Sequence, residues 1–231
     1  MKGVVGMGLP TVAMGILGLV MPPATAAAML IVPSFVTNVW QLVAGPAFGA
    51  LLRRFALMMI AVFVGTLLGI GVITGPSAAL AGVALGAVLA LYGVVGLTAP
   101  RFRVPRQMEY WLSPVIGFVT GLIAGATGVF VIPAVPYLNS LGLAKDELIQ
   151  TLGLAFTVST ISLAVALASR GQFQFDAAWT SLAAVVPALA GMFIGQKLRD
   201  RMHPEAFRKW FFVGLLVLGV YMTVRALMRG A

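Results

Sequence analysis

Apolar runs of membrane-spanning length follow one another along this chain with little polar sequence between them, and that pattern rules out a water-soluble fold. A bilayer core of about 30 Å needs about 20 apolar residues per helix. By that measure the runs fall at 3–19, 24–46, 55–74, 77–98, 112–138, 144–169, 177–196 and 210–228. Of the 231 residues, 61% are hydrophobic and 9% charged, whereas a soluble domain carries roughly 25% charged residues. Too little polar surface remains to clothe a globule in water. The fold class is all-α and integral to a membrane.

The chain has no cysteine, which removes disulfides, thiolate metal sites and thiol redox chemistry together. Its formal charge of +9 sits between apolar runs rather than in one patch, the pattern of cytoplasmic loops rather than of a nucleic-acid surface. Only Lys2 precedes the first run, which leads directly into a second, so no cleavable signal peptide is expected. The location expected is the cell membrane, the inner membrane of a bacterium, crossed several times with the basic loops cytoplasmic.

One run contradicts its own length. GLIAGATGVFVIPAVP, residues 121–136, carries three glycines and two prolines inside a 27-residue apolar segment. Unpaired backbone at membrane depth costs several kcal/mol per group, so such breaks persist only where protein shields them. The segment is either a kinked span or a hairpin that enters and leaves on one side. If all eight runs cross, the 15 basic residues divide 9 against 6; if runs one and five do not, they divide 11 against 4. The second division fits the positive-inside rule better. It also makes each half cross three times, so the halves enter from opposite sides as an inverted repeat.

Internal similarity points the same way. Gly3-Val4-Val5-Gly6 and Gly125-Ala126-Thr127-Gly128 share a GxxG pattern 122 residues apart, and at that offset Thr37-Asn38 falls on Ser159-Thr160. The expected organisation is repeat one over 1–98, a basic cytoplasmic linker over 99–111 and repeat two over 112–231, each repeat opening with a Gly/Pro-broken segment. The first repeat lacks the arm that residues 112–124 supply in the second, so a shortened chain or an upstream start is expected.

The stretch KGVVGMGLPTVAMGILGLVMPP (2–23) followed by VTNVWQ (36–41), with GLIAGATGVFVIPAVPYLNSLGL and QTLGLAFTVST (150–160) in the second half, resembles the TauE/SafE family of sulfite and organosulfonate exporters. The resemblance implies transport of small sulfur-containing anions such as sulfite, sulfoacetate or related sulfonates. It implies no enzymatic activity and no cofactor.

The residues themselves favour an uncharged anion site. All six acidic residues, Glu109, Asp146, Glu147, Asp176, Asp200 and Glu205, fall in loops or at segment edges, as does His203. Without a carboxylate at depth, a carboxylate-relayed proton pump, a cation carrier and an aspartyl intramembrane protease are disfavoured. Hydroxyls and amides remain, and broken helix ends add free backbone donors suited to an anion. The expected substrate-binding set is Lys2, Gly3, Gly6, Thr11, Thr37, Asn38 and Gln41 from repeat one. Repeat two contributes Gly125, Thr127, Gly128, Thr157, Ser159 and Thr160. The GxxxG pairs Gly65/Gly69, Gly82/Gly86 and Gly191/Gly195 are expected to pack helices. Trp40, Trp111, Trp179, Trp210 and Tyr110 are expected as interface anchors, with Trp40 alternatively walling the pathway. The alternatives to a sulfur-anion transporter are a carrier or channel for a small carboxylate and a non-transporting membrane partner. A homo-oligomer is left open.

Overall fold

The computed structural model describes residues 9–76, 78–98, 103–172 and 204–230. These form α1 (Leu9–Val20), α2 (Pro23–Val43), α3 (Phe48–Ile73), α4 (Ala78–Thr98), α5 (Arg106–Thr127), α6 (Ala134–Ser140), α7 (Lys145–Ser169) and α8 (Pro204–Gly230), with no strand among the described residues. Six of them, α2, α3, α4, α5, α7 and α8, are long and apolar enough to cross a bilayer. Helix α1 has 12 residues and α6 only 7. The expected span 177–196 lies outside the described residues, as do Lys2, Gly3 and Gly6. Prolines set several helix starts: Pro23 opens α2, Pro204 opens α8 and Pro105 immediately precedes α5. At a first turn the missing amide would have had no partner anyway.

Three helix pairs organise the bundle. Helices α3 and α5 run parallel in close backbone contact. A Cβ on Gly65 or Gly69 would overlap the carbonyl of Phe118 or Leu122, and one on Gly117, Gly121 or Gly125 the carbonyl of Met58, Val62 or Thr66. Helices α4 and α8 run antiparallel, with Gly82 facing Ala226, Gly86 facing Gly219 and Gly93 facing Leu216. Small residues admit such approach where no hydrophobic force between helices is available. This is the packing expected of Gly65, Gly69, Gly82 and Gly86. Helices α2 and α7 are also antiparallel, since Asn38 meets Thr160 while Leu42 meets Gln150.

These directions give the bundle a basic end, holding the ends of α2 and α4 and the starts of α3, α5, α7 and α8. Arg53, Arg54, Arg103, Arg106, Lys145, Arg208 and Lys209 lie there, while Arg170, Arg225 and Arg229 lie at the opposite end. Trp40, Tyr110, Trp111 and Trp210 are exposed, and all four sit near the basic end. Trp40 is 75% exposed and so faces outward; it walls no pathway within this chain.

Segment five is broken, but later than its glycines suggest. Residues 121–127 remain helical because Gly121 and Gly125 are pressed against the α3 backbone. Helix α5 ends at Gly128, which adopts φ 74° and donates its amide to Ala124 O at 2.8 Å. The chain is non-helical over 129–133, then winds into α6. Val104 N donates to Ser140 O at 3.1 Å, and the Ser113 and Tyr137 hydroxyls meet at 2.7 Å. The segment therefore finishes beside the place where it began.

Candidate functional site

The break leaves backbone donors unused inside the protein. Thr127 Oγ1 donates to Ile123 O at 2.7 Å and accepts from Val129 N at 3.2 Å, securing the first amide after the αL turn. Among the described residues the amides of Phe130, Val131 and Ile132 have no acceptor, although these residues are only 7%, 2% and 5% exposed. More than nine in ten buried amides in folded proteins have a partner, so three in succession without one form an unusual concentration of donors. Pro133, which has no amide, closes the run.

A narrow cleft borders this stretch. Pro10 and Met14 of α1, Ala27 and Ser34 of α2, Gly128 and Phe130 of the break, and Thr160 and Leu163 of α7 line it, and it has room for about one water molecule at about 10 Å³. Met14, 1% exposed, sits against Gly128. On one wall Asn38 Nδ2 donates to Thr160 Oγ1 at 3.2 Å, and Thr160 donates to Phe156 O at 2.7 Å.

The expected residues divide accordingly. Gly128 and Thr160 line the cleft, Asn38 holds Thr160, and Thr127 shapes the break. Thr11 and Ser159 are buried at 3% and 1%. Thr37 donates to Pro33 O or Ser34 O and Thr157 to Gly153 O, so these hydroxyls are engaged by their own helices. Gln41 packs over Gly153. Gly125 belongs to the α3–α5 contact and not to the break, which corrects its expected place in an unwound turn.

Other polar groups were not singled out from the sequence. Ser34 lines the cleft one residue after a proline inside α2, a signal that was available. Gln150, 1% exposed, donates to Leu42 O and Gly45 O at 2.8 and 2.6 Å and accepts from Ala47 N at 2.9 Å. It thereby stitches the α2–α3 turn to α7. Glu109 is buried and binds Arg54 through both oxygens at 2.6 and 2.7 Å. Thr120 is fully buried, and its hydroxyl has no partner.

A bundle with six apolar helices of spanning length and a buried break in one of its segments defines a multi-pass membrane protein of transporter type. The chain belongs to the sulfite exporter TauE/SafE family, whose match covers residues 1–222. This is a family of membrane transporters and not of enzymes, and membership implies a small anion as substrate. No curated protein and no solved structure matches the chain.

Proposed function

We propose that this protein moves small sulfur-containing anions, such as sulfite, sulfoacetate and related sulfonates, across the cell membrane, most simply outward. The observation that carries this reading is the run of buried amides at Phe130–Ile132, without an acceptor among the described residues, beside the Gly128, Ser34 and Thr160 cleft. Such donors stabilise an oxyanion without a fixed positive charge, so the solute can also leave. The cleft has room for about one water molecule, so lining side chains such as Met14, which packs on Gly128, have to move to admit a larger solute.

The same reading takes α1–α4 and α5–α8 as two inverted repeats. Support comes from direction: α2 runs towards the basic end and α7 away from it, as do α4 and α8 respectively. Two contacts join the halves. Asn38 donates to Thr160, the residue 122 positions further on, and Gly86 and Gly219 each approach the other's carbonyl. Segment 104–140, which starts and ends at the basic end, then re-enters rather than crosses, and the basic end is cytoplasmic.

The deciding experiment is flux of labelled sulfite and sulfoacetate into liposomes holding the purified protein, with acetate as comparison and with an imposed potential. Saturable sulfonate flux is expected. Flux of acetate alone would transfer the site to carboxylates, and no flux of any anion would remove the transport reading.

A further inference from the structure

A second polar cavity lies at the basic end, between the base of α5, the 141–143 turn and the start of α7. Its volume is about 220 Å³, and Arg54, Arg106, Glu109 and Glu147 line it with Val104 and that turn. Several waters or one small oxyanion fit in such a space. The Arg54 fork grips Glu109 with two short bonds and so ties α3 to the base of α5. Arg106 lines the same cavity, exposed and in no ion pair among the described residues. A guanidinium fork takes carboxylates and other oxyanions in the same two-pronged geometry. Glu109 thus occupies the seat that a small oxyanion would compete for.

Behind the cavity, one face of α5 carries Glu109, Ser113, Thr120 and Thr127, all buried and separated by four, seven and seven residues. That spacing keeps them on one side of the helix. Ser113 meets Tyr137 of the returning limb and Thr127 holds Val129, so this face borders the seam between the limbs of the hairpin. Thr120 stands midway with its unpartnered hydroxyl. A buried hydroxyl left unbonded costs about 1–3 kcal/mol, a cost removed when water or a solute oxygen reaches it. The lane ends at the break that carries the free amides.

We propose that the basic-end cavity is an antechamber for the transported oxyanion, with Arg54–Glu109 as its gate and the seam past Thr120 as its route to the cleft. This rests on the transport reading and adds where the solute waits and what holds it back. The anion meets Arg106 first and then competes with Glu109 for Arg54. When it wins, the tie between α3 and the hairpin base is released.

The chain contains no cysteine, so Thr120→Cys introduces a single thiol of nearly unchanged size. The full-length protein in liposomes is treated with anionic sulfonatoethyl methanethiosulfonate or its cationic trimethylammonium analogue, with and without Glu109→Gln. The anionic reagent is expected to react about tenfold faster than the cationic one, the low end of what a charged cleft supplies. Glu109→Gln is expected to raise that rate about tenfold again by freeing Arg54, and excess sulfoacetate to lower it. Lys145→Cys, exposed near the mouth, reports reagent access, and Ser113→Cys repeats the measurement if the Thr120 variant misfolds. Silence at both lane positions while Lys145→Cys reacts overturns the proposal, as do equal rates for the two reagents or indifference to Glu109→Gln. Sulfonate flux in the unsubstituted protein separates the two readings: flux with a silent lane removes only the antechamber. Charge-selective labelling without flux removes the transport reading.

Discussion

Asn38 of α2 donates its side-chain amide to the Thr160 hydroxyl of α7 at 3.2 Å, and the Thr160 hydroxyl in turn donates a hydrogen bond to Phe156 O at 2.7 Å. The bond joins the two helices beside the cleft, where Thr160 is a lining residue. A neutral buried bond is worth a net ~1 kcal/mol, and leaving one partner unsatisfied costs about 1–3 kcal/mol. Asn38→Leu and Thr160→Val are therefore each expected to slow sulfonate flux about tenfold, equivalent to ~1.4 kcal/mol in a rate. Because the two act as one unit, the double variant should be no slower than the worse single one. Initial rates in liposomes measure this, and a hundredfold additive loss would assign the residues separate roles.

Gly128 and Gly125 should fail in different ways. At φ 74°, Gly128 occupies a conformation that L side chains rarely adopt, and a Cβ there would lie 3.0 Å from Met14 Cε and 3.2 Å from Ala27 Cβ. Gly128→Ala should cost about 1–2 kcal/mol and abolish most flux while the protein still assembles. Gly125→Leu would drive its side chain into the Thr66 carbonyl and Ile70 amide of α3, which are backbone and cannot step aside. It should reduce the yield of folded protein, because the α3–α5 pair cannot close. Size-exclusion chromatography and flux on the same samples distinguish the two outcomes.

Gln150 tests whether the α2–α3 turn is held from α7. Gln150→Leu removes bonds to Leu42 O, Gly45 O and Ala47 N, leaving three backbone groups to find other partners. The expected loss is about 3 kcal/mol, read as a fall in Tm on the order of 5–10 °C for a chain of this size. Gln150→Glu keeps the acceptor for Ala47 N but sets negative charge against two carbonyls, so it should be nearly as damaging. A Tm within a degree of the parent for both variants would show that the turn holds itself.

The membrane class and six of the eight expected runs were legible because apolar length alone decides them, whereas run 3–19 supplies only the 12-residue α1 and run 177–196 lies outside the described residues. The existence of a break in segment five was legible from Gly128 and Pro133, but its position was not. The sequence shows glycines at 117, 121, 125 and 128 alike; only the α3 backbone against the first three fixes them as packing residues and leaves Gly128 to end the helix. Asn38 and Thr160 were legible as a pair through their offset. Thr37 and Thr157 were not separable from them, since a hydroxyl turned to its own helix looks the same in sequence. Glu109 reads in the sequence as a loop-edge charge and nothing there ties it to Arg54, because 55 residues part them and only the α3–α5 pairing brings them together.

The course of segment five is open to direct chemical test in a chain without native thiols. Arg103, Lys145 and Gln172 are exposed, the first two flanking the hairpin and the third following α7. The bond between Val104 N and Ser140 O holds the two flanks of the hairpin together, whereas α7 carries the chain through 25 residues, about 37 Å of helix, to Gln172. Single cysteines at 103 and 145 are therefore expected to react with a membrane-impermeant maleimide from the same side, and a cysteine at 172 only from the other. In intact cells the first two should be protected and the third labelled, with the pattern reversed in inside-out vesicles, since the basic flanks belong in the cytoplasm. Labelling of 103 and 145 from opposite sides would mean that segment five crosses the bilayer, and the inverted arrangement of the two halves would fall with it.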